Sequence, residues 1–207
     1  GHGNLLGGRA LRYELSGFCS QELGADFDLD RMLNNGTLPR VYLSSSPSRL
    51  LDAYVSQYLK EEIMAEGLVR HLPPFSHFLE AAAFSDASTV NFSTIARDVG
   101  VSRETIHGYF EILVDTLVGR MLPPFRKRPK RRISLAEKFY FSDVGVANFL
   151  AKRGDVQRGS EAYGKAFENW VFHELNCYNA YAARFAAFSY WRLSSGAEVD
   201  FVVNDMQ

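Results

Sequence analysis

Val90 to Phe125 reads VNFSTIARDVGVSRETIHGYFEILVDTLVGRMLPPF, two short helical segments on either side of a glycine and then a segment of strand character. Asn91 is placed to cap a helix from Phe92 to Asp98. Gly100 supplies a turn where positive φ costs little, and Ser102 is placed to cap a second helix. Ala96, Gly100 and Ile106 fall at the small, glycine and branched-apolar positions of such pairs, leaving Ile95, Val99, Val101, Phe110 and Leu113 for a small core. The spacing predicts a winged helix-turn-helix. Ser102, Arg103, Thr105 and His107 lie on the outer side of the second helix and are residue types that read a DNA groove. Glu104 and Glu111 on the same helix would repel phosphate, so the pattern also describes a packing or protein-docking module.

Beyond this pair, Val118 to Phe125 and Lys138 to Phe141 are predicted as the two strands of a wing. The loop between them holds Arg126, Lys127, Arg128, Lys130, Arg131 and Arg132, the one dense block of positive charge in a chain of net charge −1. Cations so concentrated release counterions from nucleic acid, which makes binding weaken steeply with salt. On charge alone a solvated run is the plainer reading; beside a helix-turn-helix, DNA is favoured.

The chain has 207 residues and 46% hydrophobic content, enough for a real core and for one or two domains. Cys19 and Cys177 stand far apart in the sequence with no CxxC spacing, which speaks against a zinc site or a disulfide framework. No apolar run approaches membrane-spanning length and no signal-peptide pattern opens the chain, so a cytoplasmic protein without a membrane partner is expected. Gly7 and Gly8 are not followed by the Gly-Lys-Ser/Thr string that cradles phosphates, so these residues are not expected to hydrolyse ATP.

In chain order, Ala10 to Leu15 alternates as a half-buried strand, with Leu11, Tyr13 and Leu15 on one side. Ser20 is expected to cap a helical turn, Asp28 to Asn34 to form another, and LPRVYL around Pro39 to be extended. Leu51, Tyr54, Val55, Tyr58, Leu59 and Ile63 recur at helical spacing and predict one long amphipathic helix from Ser48 to Ala65. Pro73 and Pro74 start the next helix, with Phe75, Phe78, Leu79 and Ala82 inward. Asp143 caps a short helix through Leu150, and the polar stretch from Lys152 to Ser160 reads as a linker. Glu161 to Asn176 is predicted helical, burying Phe167, Val171, Phe172 and Leu175 with Glu168 at the margin. A hairpin closes the chain, its second strand placing Glu198 and Asp200 on one face and Val199, Phe201 and Val203 on the other. Two carboxylates on a strand and a third, Glu168, from a nearby helix make a plausible magnesium site, because hard cations take oxygen ligands.

The opening LLGGRALRYEL, the KFYFSD string ending at Asp143, GKAFENWVFHEL from Gly164, YWR and EVDFVV resemble the C-terminal region of prokaryotic AAA-type ATPases that carry the domain of unknown function 4143. The resemblance runs from about Leu5 to Val203. It implies a mainly α chain with small β elements: the end of an ATPase core over 1–45, helical linker over 46–90, winged helix over 91–151, and a partial α/β restriction-endonuclease-like unit over 160–207. It also implies ATP and Mg as cofactors of a full-length protein, none in this stretch, and the ATPase core of the same chain as a partner. Glu168 matches the helix acid and Asp200 the strand acid of the nuclease-like fold, whose lysine-bearing strand would lie beyond Gln207. The expected function is a DNA-contacting accessory region. A magnesium-dependent nuclease module and a structural or homo-oligomerising region stand as alternatives.

Overall fold

The computed structural model describes residues 14–59, 63, 69, 72–125, 136–193 and 195–204. Among them the chain is mainly helical with two small antiparallel sheets. Helices α1 (Ser20–Leu23), α2 (Leu29–Asn35), α3 (Pro39–Tyr42) and α4 (Pro47–Ala53) come first, and α4 runs on as a π-helical segment over Tyr54–Leu59. Then follow α5 (Leu72–Phe84), strand β1 (Ser88–Thr89), α6 (Phe92–Val99), α7 (Arg103–Asp115), β2 (Gly119–Leu122) and β3 (Lys138–Phe141). Helices α8 (Val144–Leu150) and α9 (Glu161–Tyr181) precede the hairpin β4 (Ala187–Arg192) and β5 (Glu198–Asn204).

The punctuation of the central helix pair forms as its residues dictate. Asn91 accepts from the N–H groups of Ser93 and Thr94, and Gly100 closes α6 at φ 78°. Ser102 accepts from the N–H of Thr105 to start α7. Ile95, Ala96, Ile106, Phe110 and Leu113 turn inward and join Phe75, Phe78, Phe139 and Phe141 in one core that extends to Leu51 and Val55. Edge-on aromatic contacts such as Phe78 with Phe110 (4.9 Å between centroids) and Phe110 with Phe139 (4.8 Å) hold α5, α7 and β3 together. Strand β3 lies between β1 and β2, antiparallel to both, with Met121 opposite Phe139 and Arg120 opposite Tyr140.

Asp143 starts α8 and ties it to the chain's beginning. Its Oδ1 accepts from Val146 N–H at 2.8 Å, while Oδ2 accepts from Thr37 N–H at 2.6 Å, Thr37 Oγ1 at 2.9 Å and Leu38 N–H at 3.0 Å. Gly145 permits this approach, since a Cβ there would collide with the backbone carbonyl of Asn35. The segment before α2 wraps α9: Ser20 donates to Glu174 through N–H and Oγ, and His173 Nε2 lies 3.0 Å from Phe18 O.

Several expectations need correction. LPRVYL is not extended, because Pro39 opens helix α3, where its fixed φ and missing N–H fit the first turn. The first turn is capped by the Cys19 backbone with the Glu22 side chain rather than by Ser20, whose hydroxyl is engaged by Glu174. The helix expected from Ser48 begins at Pro47 and leaves α geometry at Tyr54; most residues between 60 and 68 lie outside those described. Of the strand expected over Ala10 to Leu15, only Glu14 and Leu15 are described, and they are irregular with Leu15 exposed. Helix α9 buries Ala166, Asn169, Phe172, His173 and Cys177, leaving Phe167 exposed, because Asn169 and His173 have polar partners in the interior. On β5, Val199 and Val203 are 45% and 49% exposed, and only Phe201 packs inward, stacked on Phe172 at 5.4 Å.

Candidate functional site

Strand β3 divides its side chains by the two-residue period of a pleated strand. Phe139 and Phe141 enter the main core, while Lys138 and Tyr140 emerge on the opposite face, toward α9 and the closing hairpin. There α9 contributes Glu168, and β5 contributes Glu198 and Asp200 from one face, as their spacing predicts. The Lys138 ammonium lies 2.6 Å from Glu198 Oε1, 2.9 Å from Glu168 Oε1 and 3.2 Å from Asp200 Oδ1. An ammonium has three donors, and each finds a carboxylate. Tyr140 O–H donates to Glu168 Oε1 at 2.6 Å, and the Tyr190 ring lies 5.5 Å from the ammonium, within range of a cation–π contact. Tyr190 is itself fixed by donating to Ala136 O at 2.5 Å. Arg192 Nε approaches the other oxygen of Glu198 at 3.5 Å.

The cluster is closed on one side and open on the other. The Lys138 side chain is 4% exposed and that of Asp200 53%. Burial disfavours the charged lysine, but the hydrogen bonds it donates to Glu198 and Glu168 outweigh this, so its pKa is raised and the ammonium persists. Burial, followed by the charge of Glu168, pushes the Tyr140 phenol upward, so Tyr140 acts as a donor. Three carboxylates stand against Lys138 and Arg192, leaving one formal negative charge at the opening.

Glu168, Glu198 and Asp200, expected as magnesium ligands, are thus brought together, but on an ammonium. Among the described residues no group of three or more His, Cys, Asp or Glu side chains is arranged to hold a metal ion. The sequence pattern places Lys138 only at the start of a wing strand. The signal that could have found it is its two-residue spacing from Tyr140, which puts both on the face that meets Glu168.

The expected DNA-reading residues do not join this cluster. Ser102 and Arg103 are exposed at the leading end of α7, Thr105 is half-buried with its hydroxyl 3.0 Å from that of Ser102, and His107 is exposed. His107 Nδ1 lies 3.4 Å from Glu111, and its ring lies 5.4 Å from Phe92. Behind it a groove of about 420 Å³ is lined by Phe92, Phe110, Val114 and Met121, with His107, Glu111, Asp115 and Glu137 as its polar residues. The groove thus carries three carboxylates, and carboxylates repel phosphate. Arg126, Lys127, Arg128, Lys130, Arg131 and Arg132 lie outside the described residues. Both cysteines are buried free thiols; Cys177 lies 3.4 Å from His173, and burial pushes its pKa up to about 12, which makes it a poor nucleophile.

Residues 26–157 match the family model described as Domain of unknown function (DUF8612). The chain belongs to this family. Residues 163–207 match a second model, Domain of unknown function (DUF4143), so Lys138 lies in one matched segment and Glu168, Glu198 and Asp200 in the other. This DUF8612 member is 26% identical over 206 residues to "Uncharacterized protein Rv2008c" of Mycobacterium tuberculosis and to "Uncharacterized protein Mb2031c" of Mycobacterium bovis. Each alignment covers 96% of this chain and 45% of the relative, so the chain spans about half the length of the curated relatives it matches. No solved structure matches. Among the described residues, no helix is long and apolar enough to cross a membrane.

Proposed function

We propose that this chain is a DNA-contacting accessory region of a larger prokaryotic P-loop ATPase, built as a winged helix-turn-helix followed by part of a restriction-endonuclease-like unit. The observation that carries the reading is the disposition of α7 and the β2–β3 pair. Helix α7 exposes Ser102 and Arg103 at its N-terminal end, and the antiparallel strands beside the helix pair are joined through the stretch that holds six cations. Phosphate contacts come from Arg103 and from Arg126 to Arg132. Thr105 and His107 are the nearest candidates for base contact, but the acidic groove behind His107 makes backbone binding dominant. The ATPase part of the reading rests on the motif resemblance and on relatives about twice the length of this chain; ATP and magnesium belong to that larger protein.

A salt titration of duplex DNA tests the reading. If all six cations engage phosphate, the logarithm of the binding constant falls against that of salt with a slope of about −5. A variant with the six changed to alanine loses that slope, and Arg103→Ala lowers it by about one. If the parent chain does not bind duplex at low salt, the DNA reading falls and the helix pair is a structural or protein-docking module.

A second reading is favoured by one specific observation. Lys138 stands with Glu168 and Asp200, the pairing of an ammonium with acids that phosphodiester-cleaving sites use to stabilise developing charge. In that reading Glu168, Glu198 and Asp200 would hold a magnesium ion, which would supply Lewis-acid stabilisation of charge on a phosphate, and Lys138 would add a second positive charge beside it. Cleavage of DNA by the full-length protein in magnesium, lost in a folded Asp200→Asn variant, supports it; no cleavage under those conditions rejects it.

A further inference from the structure

Asp86 and Asn169 are 83 positions apart in sequence and meet in the core, and each keeps an oxygen that no donor among the described residues reaches. Asp86 is 0% exposed. Its Oδ1 accepts from Phe141 N–H at 2.8 Å and from Asn169 Nδ2 at 2.9 Å. Asn169 Nδ2 also donates to Phe141 O at 3.0 Å, which uses both of its hydrogens. What remains is Asp86 Oδ2 and Asn169 Oδ1, both buried and, among the described residues, both without a partner. With Asp86 ionised these are two acceptors in one hydrogen-bonded pair, and burying them unsatisfied is costly. One proton on Asp86 Oδ2 removes the charge and turns one of the two acceptors into a donor.

We propose that the folded protein carries Asp86 as a neutral acid, and that loss of this proton is a switch that loosens helix α9 from strand β3. Asn169 of α9 donates to Phe141 O on β3, Asp86 accepts from the Phe141 N–H and from Asn169, and Asn169 directly follows Glu168, which binds Lys138 and Tyr140 of the same strand. Deprotonation therefore strains the contact on which the lysine cluster depends. The surrounding charges divide. Arg153, held after α8 by Ala83 O and Asn148, favours the carboxylate; Glu168 from α9 opposes it, and the Tyr140 phenol on β3 adds no charge. Burial prevails and raises the Asp86 pKa to about 7.

A carboxyl raised in the folded state holds a proton that the unfolded chain loses from about pH 4 upward. Its stabilising contribution is complete below that range and is lost as pH rises through about 7. Asp86→Asn replaces the neutral acid with a group that accepts and donates in the same directions without titrating. Urea unfolding of the chain and of this variant, from about pH 5 to about pH 8, should show the parent's folding constant falling about a hundredfold relative to the variant. Over the same range the Phe141 amide should lose more protection from hydrogen exchange in the parent than in the variant. Parallel pH curves overturn the proposal. Should Asp86→Asn not fold, the carboxyl carbon resonance of Asp86 in the parent decides: a midpoint near 7 supports the neutral acid, and one below about 5 overturns it.

Discussion

Lys138 brings one positive charge to the meeting point of three acids, and its burial means that water cannot replace it. Removing one partner of a buried charge set leaves the others uncompensated, which typically costs about 3 to 5 kcal/mol. Lys138→Met, which keeps the stem but deletes the ammonium, is therefore expected to lose stability in that range in urea unfolding. Adding Glu168→Gln to it should recover part of the loss, because one orphaned carboxylate is neutralised. Parent-like stability in Lys138→Met would show that Lys138 acts through packing of its stem alone. At this scale the sequence announces half of the cluster. Glu198 and Asp200 declare a shared face by their spacing, and Glu168 stands at the margin of a helix pattern. Lys138 declares its position relative to Tyr140, but what that face meets depends on the chain folding back from α9, which no local pattern encodes.

Elements whose punctuation is local were legible: Asn91, Gly100 and Ser102 for the α6–α7 pair, and Asp143 for α8. Elements whose buried side is set by a distant polar partner were not. Apolar periodicity favoured Phe167 and Val171 on α9, yet the helix turns Asn169 and His173 inward because Asp86 and Phe18 O wait there. Helix α8 shows how far a local cap can reach. Asp143 serves its own helix through one oxygen and the Thr37–Leu38 backbone through the other, so Asp143→Ala should cost well beyond the ~1 kcal/mol of an ordinary cap, about 3 kcal/mol or more. Gly145→Ala is expected to be destabilising by about 1 to 3 kcal/mol, because its methyl group would push α8 away from Asn35. Both are measured by urea unfolding. Wild-type stability in Gly145→Ala would mean that α2 and α8 are not pressed together as described.

The two family segments, 26–157 and 163–207, share buried groups rather than merely touching. Phe125 N–H donates to Tyr190 O at 2.6 Å and Tyr190 N–H to Pro123 O at 3.0 Å, so the chain leaving β2 runs beside β4. Lys138 and Asp86 belong to the first segment, while their partners Glu168, Glu198, Asp200 and Asn169 belong to the second. Withdrawal of either segment would give up the ion pairs of Lys138 and the Asp86–Asn169 hydrogen bond, and would expose the Leu122, Tyr140, Phe172 and Tyr190 side chains that pack between the two. The two should therefore unfold together. Trp170 and Trp191 both lie in the second segment, while helices α2 to α8 dominate the far-ultraviolet signal from the first. Tryptophan fluorescence and circular dichroism followed through one urea titration should then give coincident transitions, the signature of a single cooperative unit. In Lys138→Met the fluorescence transition should move to lower urea ahead of the dichroism, because the second segment has lost its strongest tie to β3. Separate transitions in the parent chain would mean that the cluster joins two bodies that are each stable alone, and the cost assigned to Lys138 would have to fall accordingly.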